Sequence, residues 1–320
     1  MASTRRTDGR SPDAETADAK REFETAQRVA FEAEGVSFES RYVDLDSPAC
    51  RVHVVDAGEP SDEPPLVFVH GVMNFGAMFA PLMGRLGGAR MLALDRPGWG
   101  LSDDFRYDAD TQRRVAVDVL DGVLDALDVD RADVVGHSTG GYWGLAFALA
   151  RPGRVRRLVA VGGVPAFPGT SPPIPLRLFT LPMVARLLVP RGHPTEATVV
   201  EQLAAVGEDR TIRRYPELVA ARVAHDRNPR ASAVGVSELK SFMTLGGWRA
   251  GARLTPSELR AVERPTTFVW GDEDFLGTPE AVREAIESMP DSRLETLACG
   301  HIPWLGHPDA CADAVAAARA

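Results

Sequence analysis

Three short runs constrain this chain most: LVFV at 66–69, MLAL at 91–94 and LVAV at 158–161. Each is apolar at every position, so neither side of it can face water. A strand of that kind is buried on both faces. Helical patterns separate the runs. The clearest covers 110–128, where Val115, Val117, Val119, Leu120, Val123, Leu124 and Leu127 recur among Asp and Arg. Segments 77–87 and 139–150 also read as helices. RYVDLD and CRVHVVDAG form an opening hairpin, and ADVVGH supplies a further strand. Strands alternating with helices predict an α/β fold, a mainly parallel doubly wound sheet.

The alternation stops at 164 and resumes at 263. Between them lies a Pro-rich and then helix-rich stretch, read as a helical insertion after the sixth strand. PTTFVWGD (265–272), PEAVREAIESM (279–289), SRLETLA (292–298) and a helix from about 308 restore the pattern. The expected organisation is an N-terminal extension over 1–35, a core from 36–163 and 263–320, and an insertion over 164–262. The extension is polar and charged and lacks the apolar centre of a secretory signal. It reads as a disordered lead followed by a short charged helix.

Composition narrows the function classes. A net charge of −9 disfavours nucleic acid as a partner. No apolar run approaches the roughly 18 residues of a membrane span. Cys50, Cys299 and Cys311 are too scattered for a disulfide framework or a zinc site, which places the chain in the cytoplasm by default. No His-x-x-x-His cluster supports a metal, and no glycine-rich phosphate loop supports a nucleotide. No cofactor is expected.

One stretch carries chemistry. In Gly136-His137-Ser138-Thr139-Gly140 a serine stands where a strand turns directly into a helix. Such a turn strains the backbone and exposes the hydroxyl, and side chains at 136 and 140 would crowd it. The helix that follows aims free N–H groups at the serine, where an oxyanion would be stabilised. A serine before a helix is also a common N-cap, so the pentapeptide needs company. A nucleophilic hydroxyl needs a base, and the base needs a carboxylate. Open α/β sheets hold such groups past the carboxyl ends of later strands. Asp272, Glu273 and Asp274 follow one such strand, and His301 follows the next.

With these residues the chain resembles the α/β-hydrolase fold enzymes. FVHG (68–71) is similar to that family's oxyanion loop, and DRPGWGLSD (95–103) to the turn after its fourth strand. VVGHSTGG resembles its nucleophile elbow, VWGDEDFLGTP (269–279) its acid loop and CGHIPWLGHP (299–308) its histidine loop. The resemblance runs from about residue 38 to the end, and the 164–262 insertion falls where the family carries a helical cap. It implies Ser138 as nucleophile, His301 as base and Asp274 as the orienting acid, ahead of Asp272 and Glu273. It implies an oxyanion hole from the backbone N–H groups of Val72 and Thr139, with Met73 the alternative to Val72. His137 and His307 are expected to be structural, and His70 to brace its loop. His53, His193 and His225 have no partner visible in the sequence.

Apolar residues near the oxyanion loop and in the insertion are candidate pocket walls: Met73, Asn74, Phe75, Phe179, Met183, Phe242 and Trp248. The expected activity is that of a serine carboxylesterase acting on small or medium apolar esters or lactones. C–C bond hydrolases and cofactor-free haloperoxidases of the same fold are alternatives, although the C–C hydrolases have an oxyanion loop richer in glycine than HGVMNF. Epoxide hydrolases and haloalkane dehalogenases are disfavoured because their nucleophile is aspartate. A non-catalytic ligand-binding or receptor protein is the reading from another class. The insertion could also form a homodimer surface.

Overall fold

The computed structural model describes residues 12–181, 183–184 and 194–319. Its centre is an eight-stranded sheet ordered β1-β2-β4-β3-β5-β6-β9-β10. The strands are β1 (Phe38–Asp46), β2 (Ala49–Ala57), β3 (Leu66–Val69), β4 (Met91–Asp95), β5 (Ala132–His137), β6 (Val155–Val161), β9 (Thr266–Gly271) and β10 (Ser292–Leu297). A two-stranded ladder, β7 (Met243–Thr244) with β8 (Gly247–Trp248), stands apart. β2 pairs antiparallel with β1 and β4, and every other neighbouring pair of the large sheet is parallel.

The alternating side chains of the central strands feed two cores. Val67 and Val69 join one, while Leu66 and Phe68 join the other. Val134 and Val135 divide in the same way, as do Phe268 and Val269. This is why the central runs are apolar throughout: with a period of two, burial on both faces leaves no position for a polar residue.

The helices are α1 (Pro12–Ala33), α2 (Ala80–Met83), α3 (Gln112–Ala126), α4 (Thr139–Ala150) and α5 (Ile174–Leu178). They continue with α6 (Glu196–Ala204), α7 (Pro216–Asp226), α8 (Ala231–Phe242), α9 (Pro256–Arg260), α10 (Pro279–Glu287), α11 (Pro303–Gly306) and α12 (Pro308–Arg319). The predicted 77–87 helix is shorter than expected. A 3-10 turn, Gly76–Phe79, leads into α2, whose first turn holds Pro81 and whose C-cap is Gly84. A Cβ at Gly84 would lie 2.5 Å from the Glu34 carbonyl oxygen, so glycine lets the end of α1 close on it.

The N-terminal segment departs further from expectation. α1 has 22 residues and is a packed element. Ala19, Phe23, Gln27, Ala30 and Phe31 are buried. Their spacing is one helical face, and its apolar members were readable in the sequence. Phe23 packs edge-on against Phe75 (4.7 Å) and against His225 of α7 (5.5 Å). Arg227 pairs with Glu22, and Arg230 with Asp13 and Asp104. One helix therefore touches both the sheet-bearing core and the 164–262 segment.

A buried pair ties the same segment to the core from the other side. Arg96, in the loop after β4, donates to Glu238 of α8 at 2.7 Å, and Trp99 Nε1 donates to the second oxygen at 2.9 Å. Neither charged side chain reaches solvent.

Candidate active site

β5 ends at His137, and Ser138 follows with φ 52° and ψ −113°. This left-handed conformation is costly for a residue with a side chain and marks a strained site. The close packing around it explains the glycines. A Cβ at Gly136 would lie 2.4 Å from the Gly140 carbonyl oxygen, and one at Gly140 would lie 1.8 Å from that of Val69. β5, β3 and α4 can meet here only with bare backbone.

Two loops close on this elbow. Gly71, after β3, is so near that a Cβ on it would stand 3.0 Å from the Ser138 Cβ. The histidine loop, after β10, is fastened by His137, whose Nε2–H donates to the His301 carbonyl at 3.1 Å. His137 is buried, and burial first and the neighbouring His301 second hold its pKa well below the ordinary 6.5. It is a neutral strut. His70 is another: its Nε2 accepts the Arg96 N–H at 2.9 Å, so Nδ1 carries the proton given to the Gly71 carbonyl at 2.8 Å. Burial, then the Arg96 charge, keeps it neutral.

His301 Nδ1–H donates to Asp274 Oδ2 at 2.7 Å. That bond leaves the lone pair on Nε2. Both side chains are buried. Asp274 is itself held by backbone donors, the Gly163 N–H to Oδ2 at 2.7 Å and the Leu276 N–H to Oδ1 at 2.9 Å. Of the three acids in its loop, Asp274 is the one bonded to the imidazole. Asp272 is exposed and accepts the Cys299 N–H at 3.0 Å, and Glu273 is exposed.

Val72 and Thr139 begin the turn after β3 and helix α4 respectively. Met73 sits at φ 54°, and its side chain reaches Gly235 of α8, where a Cβ would stand 3.0 Å from the methyl carbon. The candidate wall residues separate on inspection. Phe75 is fully buried between Phe23 and His225, a core position rather than a wall. Phe242 packs edge-on against Tyr142 of α4 at 4.9 Å and so seats the 164–262 segment on the core, whereas Trp248 Nε1 donates to the Thr170 carbonyl at 3.0 Å, a bond within that segment. Asn74 is buried and Phe179 half-buried. Met183 is 78% exposed and faces solvent.

The other described histidines have partners in the structure. His53 bonds Asp95 at 2.8 Å, His225 bonds Asp226 at 2.9 Å, and His307 Nε2–H donates to the Ala298 carbonyl at 3.1 Å. His193 lies outside the described residues. Cys299 is half-buried, and burial pushes its thiol up to about 12, so it is no thiolate nucleophile. Phe275, whose ring meets the His301 imidazole edge-on at 4.5 Å, and Gly163 were missed by the sequence reading. The pair Gly162-Gly163 at a strand end was the one available signal.

These features fit the enzymes built on the α/β-hydrolase sheet. Residues 66–314 match the model of the alpha/beta hydrolase family, and the chain belongs to that family and is a hydrolase by class. It is 28% identical over 266 residues to a 2-hydroxy-6-oxononadienedioate/2-hydroxy-6-oxononatrienedioate hydrolase of Cupriavidus pinatubonensis, covering 78% of this chain and 84% of that one. A protein of the same name from Klebsiella pneumoniae is 27% identical over 291 residues, covering 84% and 92%. Among solved structures, the 2-hydroxy-6-oxo-6-phenylhexa-2,4-dienoate hydrolase of Rhodococcus sp. strain RHA1 superposes with a TM-score of 0.70 at 19% identity, covering 89% and 100%. Carboxylesterase CesB of Bacillus subtilis superposes with 0.67 at 20%, covering 94% and 98%. No helix among the described residues is long and apolar enough to cross a membrane.

Proposed function

We propose that the chain is a serine-triad hydrolase whose scissile bond is a C–C bond beside a ketone. Ser138 is the nucleophile, His301 the general base and then acid, and Asp274 the group that fixes the imidazole tautomer. The backbone N–H groups of Val72 and Thr139 receive the oxyanion, and the 164–262 segment is the cap. The observation that carries the triad is the 2.7 Å bond from His301 Nδ1–H to Asp274, set on an elbow where Ser138 is held at φ 52°. His301 Nε2 is then the one imidazole position free to take the hydroxyl proton.

The choice of bond rests on the relatives. The substrate in their name carries no ester, so its hydrolysis breaks a carbon–carbon bond next to the 6-oxo carbonyl. This ranks the C–C reading above the ester reading favoured by the sequence. Both begin with addition to a carbonyl. They differ in the leaving group, which for a C–C bond departs as a carbanion and must be protonated on carbon.

Ester hydrolysis is the second reading, and one observation favours it. The relatives' substrate is a dioate, yet the buried guanidinium beside the oxyanion loop, Arg96, is already neutralised by Glu238. A neutral substrate suits that arrangement.

A panel tests both. The purified protein is given 2-hydroxy-6-oxo-dienoates with and without the second carboxylate, followed by loss of their absorbance, and p-nitrophenyl esters of two to eight carbons. The expected result is a kcat/KM for the best dienoate on the order of 100-fold above the best ester. The reverse ratio replaces the C–C reading by the ester reading. Turnover surviving in Ser138→Ala removes the triad from both.

A further inference from the structure

The histidine loop is held by a piece of the 164–262 segment that belongs to none of the motifs above. After α6 the chain turns through Val206, Gly207 and Glu208. The Val206 carbonyl accepts the His301 backbone N–H at 3.1 Å. Glu208 Oε1 accepts the N–H of the next residue, Ile302, at 3.0 Å. The contact is close: a Cβ at Gly300 would stand 2.5 Å from the Val206 carbonyl oxygen and 3.0 Å from Glu208 Oε1. With the His137 strut on its carbonyl, His301 has both of its backbone polar groups fixed by other segments.

Glu208 has 0% exposure, which a carboxylate tolerates only with partners. Oε2 accepts from the Thr211 hydroxyl, and Oε1 takes the Ile302 N–H. No basic side chain bonds it among the described residues. The titratable groups whose charges reach it are His301 and Asp274, and Cys299 and Cys311 feel its charge in turn. Burial raises its pKa, and the hydrogen bonds from Thr211 and Ile302 and the His301 charge oppose the rise.

We infer that Glu208 is a positioning residue for His301, which holds the histidine loop through Ile302 and whose negative charge favours the imidazolium form during turnover. It acts through the loop and the field, not by touching substrate. The inference rests on the serine-triad reading.

Glu208→Gln is the discriminating variant, because the amide keeps the shape and can still accept from Ile302 while losing the charge. Removing a negative charge near His301 disfavours the imidazolium form. The acid limb of the kcat/KM profile on p-nitrophenyl acetate should therefore move down by roughly one pH unit, and kcat should fall about tenfold with KM little changed. Glu208→Ala, which also frees the loop, should lose more. A Gln variant with the wild-type limb and kcat overturns the inference, even if the Ala variant is impaired, since that pattern means shape alone. Should the Gln variant not fold, Glu208→Asp keeps the charge while drawing the carboxylate back from Ile302. It should leave the acid limb in place while kcat falls, and an Asp variant with wild-type kcat, or with a limb moved down by a full pH unit, overturns the inference. Fluorophosphonate labelling separates the two levels. Labelling that persists in Ser138→Ala defeats the triad reading itself, whereas loss there with an unmoved Glu208→Gln limb defeats the role of Glu208 alone.

Discussion

Asp274 and His301 share a 2.7 Å hydrogen bond whose acceptor atom, Oδ2, also takes the backbone N–H of Gly163 at 2.7 Å. The carboxylate is aimed by backbone on one side and aims an imidazole on the other. Asp274→Asn should keep the fold and lower kcat by roughly 10⁴-fold, the loss that follows when an orienting acid becomes an amide and the wrong tautomer results. Asp272→Asn is the control and should cost less than about threefold, within the range of an exposed polar change. Steady-state kinetics on one chromogenic substrate decides it. A large loss in the control instead would move the acid role to Asp272.

Gly163 supplies a subtler probe. A Cβ there would lie 2.7 Å from Asp274 Oδ1, so the carboxylate has to move. Gly163→Ala should lower kcat by about 100-fold, as a misplacement of about 1 Å does, with a circular dichroism spectrum like that of the parent. Unchanged kcat would show that the carboxylate has slack.

Phe23 is fully buried against Phe75 and His225. Phe23→Ala should destabilise the protein by about 3–5 kcal/mol, read from urea unfolding. α1 lies outside the residues matched by the family model, which begin at 66. A loss under about 1 kcal/mol would make the helix an appendage.

The Arg96–Glu238 pair should be strongly asymmetric. Glu238→Ala leaves a buried guanidinium alone and should cost about 3–5 kcal/mol, whereas Arg96→Met with Glu238→Gln, whose amide oxygen can still accept the Trp99 Nε1–H, should cost clearly less. Equal losses in the single and double variants would mean that packing, not charge, decides.

Acid should weaken the fold through His70 and His137, both held neutral well below 6.5 by burial. The folded state refuses a proton that the unfolded chain accepts below about pH 6.5. Stability is therefore complete above that pH and falls below it, by about 1.4 kcal/mol per pH unit for each histidine. Urea unfolding from pH 7 to pH 5 should show His137→Gln with a slope shallower by one such step. Parallel slopes would mean that His137 takes its proton in the folded state.

The fold was legible because the central strands must be apolar on both faces, and the elbow was legible because only glycine fits at 136 and 140. The meeting of Asp274 with His301 could be read because each stands just past a strand. Glu208 could not be read. Its partner Ile302 is 94 residues away, and the bond runs to a backbone N–H, which leaves no mark on residue identity. The packed face of α1 lies in the spacing of Ala19, Phe23 and Phe31, which the charges on its other faces mask in the sequence. Phe75 was misplaced because nearness along the chain to Gly71 says nothing about which way a ring turns.

The hold of Val206 and Glu208 on the histidine loop bears on how a substrate gets in. Ser138 is only 4% exposed, so under the serine-triad proposal a substrate reaches it through the structure around it. If the whole insertion swung away, the His301 N–H would lose its acceptor at every opening, and the proposed base would have to be set in place again. A parting that leaves the 206–208 turn seated spares that step. On this geometry the 206–208 turn goes with the histidine loop rather than with the rest of the insertion.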